Sequence, residues 1–355
     1  MRVRIFKRKQ EQKAGRGSQL VQAGRDVVIH TLSVDDVQSI AREVMKSELA
    51  KLSEKAYDTA SDRVSAFVRK LVMDLESRQN QGLQAFASPD MQWVLHNAQL
   101  AYARSGDEEL ADILVSLVSE RAAAGRESLA GIAIGEAVSL VPKLVPQHFG
   151  ILSVVFVLRY TSYNHMVSTD ALVEYVNRFL LPFIPDLETG LGYYQHLEYT
   201  GCGTTRTGSV ELSSIMIRNY PWVFSKPVHA ERLRELNSTG VELPRFLRQG
   251  KNAGESVLVP RWRYDDVHSY CEEAGNGEHE ARVLEDIWRE CLLKPPEITP
   301  FLVDTVPEIQ ALVNVWDGSL LSHFELSSVG MAIATAVLRH RCGEVFELTR
   351  FLQCT

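Results

Sequence analysis

The chain has 355 residues, 45% of them hydrophobic and 23% charged, with 22 Gly and 13 Pro, a balance that excludes global disorder, collagen-like repeats and low complexity. The length fits two to three domains. The net charge of −7 is uneven: residues 1–16 hold seven cations against Glu11 alone, a net +6, so the rest carries −13.

Val3, Ile5 and Phe6 are the apolar residues of the basic start, too few for a secretory signal. The longest apolar run, Phe149 to Leu158, is too short to cross a bilayer, so the chain reads as soluble. Cys202, Cys271, Cys291, Cys342 and Cys354 are odd in number and widely spaced. They suggest no disulfide framework and fit a cytoplasmic setting. Residues 1–16 read as a basic flexible tail. It is either solvated or in weak, salt-sensitive contact with an anionic membrane or nucleic acid.

Residues 17–32 contain Gln22, Ala23, Gly24, Arg25 and Asp26 followed by Val27, Val28 and Ile29. The β-branched run favours an extended chain and Gly24 a turn, so a short β-arch or hairpin is expected. Such a unit buries too little alone and needs a neighbour. The segment resembles the QAGRD-type motif near the N-terminus of many bacterial proteins, often joined to signalling or conflict-related domains. The resemblance implies self-association or docking, with Gln22, Gly24, Arg25 and Asp26 as contact residues; one copy is present rather than an array.

Residues 33–80 predict a long amphipathic helix. Ser33 suits its N-cap, Asp35 and Asp36 its first turn, and Val37, Ile40, Ala41 and Val44 open a stripe at spacings of three and four. A break near Tyr57–Ser61 is compatible with the weaker pattern there. The stripe is covered either by a coiled-coil partner, with Val37 and Val44 as assembly contacts, or by the chain's own body. Residues 81–205 then predict helices at 90–104, 107–123, 127–141, 146–160 and 168–182, a helical bundle or short α-solenoid.

The segment from Tyr193 to Arg206 groups His196, Glu198, Cys202 and Arg206, with Gly201 and Gly203 around the cysteine. Three chemistries compete with a purely structural turn. Cys202 and His196 suit a thiol nucleophile and its base. His196, Glu198 and Cys202 suit a metal, though without paired short ligand spacings. A glycine-flanked loop suits an anion. The Tyr194-to-Gly203 block, with the QAGRD-type start, resembles an uncharacterised bacterial family of this domain order, which carries no activity to transfer.

Residues 206–296 read as a mixed helical region, with an exposed loop near 243–259 and a helix at 280–293. Arg261, Trp262, Arg263 and Tyr264 interleave cations and aromatics, as at a nucleic-acid surface or a domain seam. His268, Cys271 and His279 are a weak zinc set. Residues 297–355 predict helix, turn, helix and a strand at 345–352, a small winged-helix-like domain in which Arg339, His340 and Arg341 offer charge to DNA. The segment is similar to tail segments of some bacterial abortive-infection proteins.

The fold expected is therefore mainly α, and the function a non-enzymatic, oligomerising scaffold or sensor, in bacterial phage defence as the resemblance implies. It needs no cofactor. Its partners are a second copy and a protein or phage component, with Tyr194 and Arg206 added to the binding residues. Two alternatives stay open. One is a thiol-dependent hydrolase or transferase using Cys202 and His196. The other is a DNA-binding regulator acting through the C-terminal domain and the basic tail.

Overall fold

A computed structural model describes residues 32–352 apart from 126, 167, 227, 230, 232–233, 235–246, 253–254, 261–266, 274 and 276. The QAGRD-type segment, its four expected contact residues and the 261–264 aromatic run lie outside the described residues. The fold is mainly α.

The first two helices are α1 (Val34–Leu49) and α2 (Glu54–Ser77). They replace the one long helix expected over 33–80. The elbow falls at 50–53, ahead of the weak stretch at Tyr57–Ser61. Val37, Ala41, Met45 and Leu49 are buried on α1, and Ala60, Val64, Phe67, Val68, Leu71 and Leu75 on α2. Residues 50–59 between these two sets are exposed. Each stripe packs on the body, and the bend lets both reach it. Val37 is thus an interior residue of the chain and Val44 a half-buried one. This favours the self-covered reading of the stripe over a coiled-coil stalk.

Next come α3 (Pro89–Ser105), α4 (Glu108–Ala124), α5 (Leu129–Leu140), α6 (Pro146–Tyr160) and α7 (Thr169–Phe179), close to the predicted spans. Their starts are set by local chemistry. The side chains of Ser88, Asp107, Ser128 and Ser168 accept from the backbone N–H groups of Met91, Leu110, Gly131 and Ala171, which satisfies donors that a helix N-terminus leaves free. Gly106 ends α3 at φ +68°, a conformation costly for residues with a Cβ. His148 to Leu158 are buried without interruption on α6, the pattern of a helix enclosed on all sides.

Then follow α8 (Leu191–Tyr199), β1 (Gly203–Thr205) and α9 (Leu212–Asn219). The expected loop near 243–259 is instead an antiparallel hairpin of β2 (Leu247–Asn252) and β3 (Glu255–Pro260), in register from Leu247↔Pro260 to Asn252↔Glu255. The β-branched Val257 and Val259 were the available signal for it. Helices α10 (Val267–Glu273) and α11 (Glu278–Cys291) follow, with Cys271, Ala281, Leu284, Ile287 and Cys291 buried outside the main core.

The C-terminal segment comprises α12 (Pro295–Thr305), α13 (Gln310–Gly318), β4 (Phe324–Leu326), α14 (Ser328–Cys342) and α15 (Leu348–Leu352). Two expectations are corrected here. The strand expected at 345–352 is the short helix α15, whose neighbourhood is anchored by Phe346 and Phe351 on Phe156, so it forms no wing. Nor is the segment a separate winged-helix-like body. Helix α14 lies against α4, α5 and α6, and its residues from Gly330 to Leu338 are all buried. Strand β4 pairs with β1 across more than a hundred residues of sequence. One continuous core joins Val37 to Leu348.

Candidate functional site

The glycine-flanked cysteine is a helix-stop and a hinge-pin of the core. Helix α8 ends with Cys202 N–H donating to Leu197 O at 2.8 Å and with Gly201 at φ +72°, the six-to-one closure that uses a left-handed glycine. The chain then enters β1. A Cβ on Gly203 would lie 2.4 Å from the Phe324 ring and 2.5 Å from Glu325 O, so glycine permits the pairing with β4. Across the junction, Ser327 caps α14. Its hydroxyl donates to Gly201 O at 2.6 Å and its N–H to Cys202 O at 3.1 Å. A Cβ on Gly330 would sit 1.9 Å from that same Cys202 carbonyl.

The reactive-looking side chains of this block point to separate places. The Cys202 thiol is fully buried; Thr200 Oγ1 donates to its sulfur at 3.4 Å, and burial pushes its pKa up. A protonated, enclosed thiol is a poor nucleophile. The Nε2–H of His196 faces the Lys143 carbonyl at 3.0 Å, and its ring stacks on His148 at 5.0 Å. Glu198, exposed, accepts from Thr205 N–H at 2.6 Å, which lowers its pKa. Arg206 pairs with Glu325 at 2.8 Å. Tyr194 is buried, its hydroxyl donating to Glu188 O at 3.0 Å and lying 3.2 Å from Ser319 Oγ. Tyr194, expected as a binding residue, is thus an interior side chain, while Arg206 stays at the surface beside Glu325. Neither the thiol–histidine pair nor a three-ligand metal set is assembled. Among the described residues no group of three His, Cys, Asp or Glu is placed to hold a metal ion.

His148 supports this corner. Its Nδ1 accepts from Val145 N–H at 3.0 Å, capping α6, which leaves the proton of the neutral ring on Nε2. That atom is buried near the Tyr193 main chain but outside hydrogen-bond geometry. Burial, assisted by His196, lowers the pKa of His148 to about 4.

The basic triplet expected to face DNA is engaged by carboxylates of the chain itself, with Arg339 and Arg341 half-buried and His340 exposed. Arg339 meets Asp74 at 2.9 Å and Glu120 at 3.9 Å, His340 lies 3.5 Å from Asp112, and Arg341 meets Glu109 at 2.7 Å and Asp186 at 2.5 Å. Arg78 shares Asp74 and Glu120. Burial raises the Glu120 pKa against the pull of Arg78 and Arg339. These groups lock α14 to α2 and α4 and leave little charge for a phosphate backbone.

Unspent chemistry lies elsewhere, on the outer side of α3. Trp93 is 67% exposed, and Leu129 and Ile132 on α5 are 56% and 55% exposed. Trp93 and Ile132 line one open hollow of about 590 Å³, edged by Glu127 and Glu136. Neither of those carboxylates forms an ion pair among the described residues. A second cleft opens at the C-terminal end of α3 around Arg104 and Lys143. The sequence signal was available in the helical pattern. The buried stripe of α3 runs through Met91, Val94, Leu95, Ala98 and Tyr102, and Trp93 falls off it. The Leu129 and Ile132 pair likewise falls off the α5 stripe of Ala130, Ala133, Ile134 and Ala137.

No described helix is long and apolar enough to cross a membrane. No curated protein and no solved structure matches the chain. A family model does match it over residues 31–352, for a family described only as ":-like", with no reaction or ligand in that description. With a match of that extent, the chain belongs to this uncharacterised family.

Proposed function

We propose that the protein is a non-enzymatic helical scaffold that self-associates, the outer face of α3 and α5 receiving the basic N-terminal segment of a second copy. The observation that carries this reading is the exposed group of Trp93, Leu129 and Ile132 beside the unpaired Glu127 and Glu136. Exposed aromatic and aliphatic anchors at one place mark interaction surfaces. The chain itself supplies a complementary sequence: Arg2, Arg4, Lys7, Arg8 and Lys9 interleaved with Val3, Ile5 and Phe6. Opposite charges at the rim then orient the contact. The resemblance of residues 17–32 to an association motif supports the same reading. The engagement of His196, Glu198 and Cys202 in local structure supports a non-enzymatic role. The defence setting draws on the two bacterial resemblances, and the cytoplasmic setting on the free cysteines Cys202, Cys271, Cys291 and Cys342.

Light scattering of the full chain at micromolar concentration tests the proposal. The expected result is a mass above that of the monomer. It should return to the monomer on removal of residues 1–16, on Trp93→Ser, and in high salt. A monomeric full chain, or an assembly that survives either removal of residues 1–16 or Trp93→Ser, overturns it.

A further inference from the structure

We propose that the cleft at the C-terminal end of α3 binds an anionic amphiphile, a single aliphatic chain ending in a carboxylate or a phosphate. This site adjoins the Trp93 hollow, with which it shares Asn97 and Ser139, but it differs in charge and does not rest on that reading. Two adjoining hollows share Leu100 and Arg104. The first, about 690 Å³, opens under the elbow between α1 and α2, with Met45, Leu49, Leu52, Ala56, Ala60 and Ala103 on its walls. The second, about 650 Å³, has Leu110 and Val138 on its floor and Asn97, Ser139, Arg104 and Lys143 around it. Both volumes fall in the range of small-molecule sites.

Charge selects the ligand. In the first hollow Lys51 is held by Glu48 at 2.7 Å, and Arg63 Nη1 donates to the carbonyls of Ala103 at 2.9 Å and Arg104 at 3.3 Å, which fixes that side chain on the end of α3. That leaves Lys55, Arg104 and Lys143, none of which forms an ion pair among the described residues. No carboxylate is among the described residues lining the second hollow. A body of net negative charge thus keeps Lys55 at the first hollow, Lys143 at the second and Arg104 at both, without an ion pair among the described residues. The chain's own N-terminal segment, with a net +6 over residues 1–16, has the wrong sign to fill it.

The chemistry of the head group follows from the residues. Arg104 offers a planar fork of donors that suits a carboxylate or phosphate, Lys143 a compact charge, and Asn97 and Ser139 further donors. The aliphatic chain would lie along Leu100 into the first hollow, where Leu49 and Leu52 bound it. Lys143 is held in place by its own carbonyl, which faces the Nε2–H of His196.

Calorimetric titration of the full chain with octanoate, decanoate, dodecanoate, dodecyl phosphate, neutral octanol and inorganic phosphate decides the matter. All amphiphiles are kept below their micelle concentrations. One dodecanoate should bind per chain, and each added methylene should tighten binding about two- to fourfold. Arg104→Gln should weaken dodecanoate about tenfold. Ala56→Trp, at an exposed position on the wall of the first hollow, should abolish chain-length dependence while leaving the melting temperature unchanged. The carboxylate and phosphate series identify the preferred head group. Absence of binding overturns the proposal. So does octanol binding as well as octanoate, inorganic phosphate binding as well as dodecyl phosphate, or an Arg104→Gln variant with unaltered affinity.

Discussion

The α8–β1 turn and the outer side of α3 are opposites. The turn holds histidine, glutamate, cysteine, arginine and tyrosine within a short span, and each of these groups is committed to a neighbour: Lys143 O, Thr205 N–H, Thr200, Glu325 and Glu188 O. The α3 surface has no motif, yet Trp93, Arg104, Glu127 and Glu136 there are exposed. Chemistry-bearing residues close together in sequence are therefore weak evidence for a site. Large apolar side chains and charged groups that folding leaves exposed together and uncommitted are stronger evidence, because they stay available to a partner.

The comparison can be broken in order of expected effect. Arg339→Met removes a cation from the half-buried Asp74 and Glu120 and should cost about 3 kcal/mol of stability by urea denaturation, the low end for a broken interior pair because Arg78 stays beside both carboxylates. A change under about 1 kcal/mol would mean these paired charges are not structural. Gly330→Ala forces a methyl onto the Cys202 carbonyl and should cost about 3 kcal/mol. An unaffected melting curve would show that the turn is not pinned to α14.

The third effect is on pH dependence. His148 has a folded pKa of about 4 against an ordinary 6.5, so between these values the unfolded chain binds the extra proton. Stability is then full above about pH 6.5 and falls as pH drops towards 4, by about 2–3 kcal/mol from this group. His148→Asn keeps an acceptor for Val145 N–H and should flatten that window; an unchanged pH profile would remove His148 as the cause. The smallest effect sharpens the contrast from the other side. Trp93→Ser should alter stability by no more than about 0.5 kcal/mol while changing the mass seen by light scattering.

Much of the fold was legible because its signals are local. Ser88, Asp107 and Ser168 cap α3, α4 and α7 close to the starts expected from the sequence. The elbow between α1 and α2 was misplaced because no glycine or proline marks it; it is set by where two separate stripes meet the body. The C-terminal segment was taken for a domain because an apolar helix such as α14 has the same composition whether it builds a small domain or fills a large one. The pairing of Arg339, His340 and Arg341 depends on carboxylates more than 150 residues away, beyond any window of sequence. The structural reading of the Gly201–Gly203 turn was among those weighed, since a glycine after a helix is a local signal, but its lock on Ser327 was not.

The position of α14 has a consequence for synthesis. The helices it contacts, α4, α5 and α6, leave the ribosome nearly two hundred residues before it does. Until Ser328 to Cys342 emerge, those three helices have no partner for the faces they will later turn to Met331, Ile333 and Val337. The nascent chain therefore carries an open apolar trough through about half of its translation, which exposes it to aggregation. A ribosome stalled before residue 328 would release a chain unable to close its own centre.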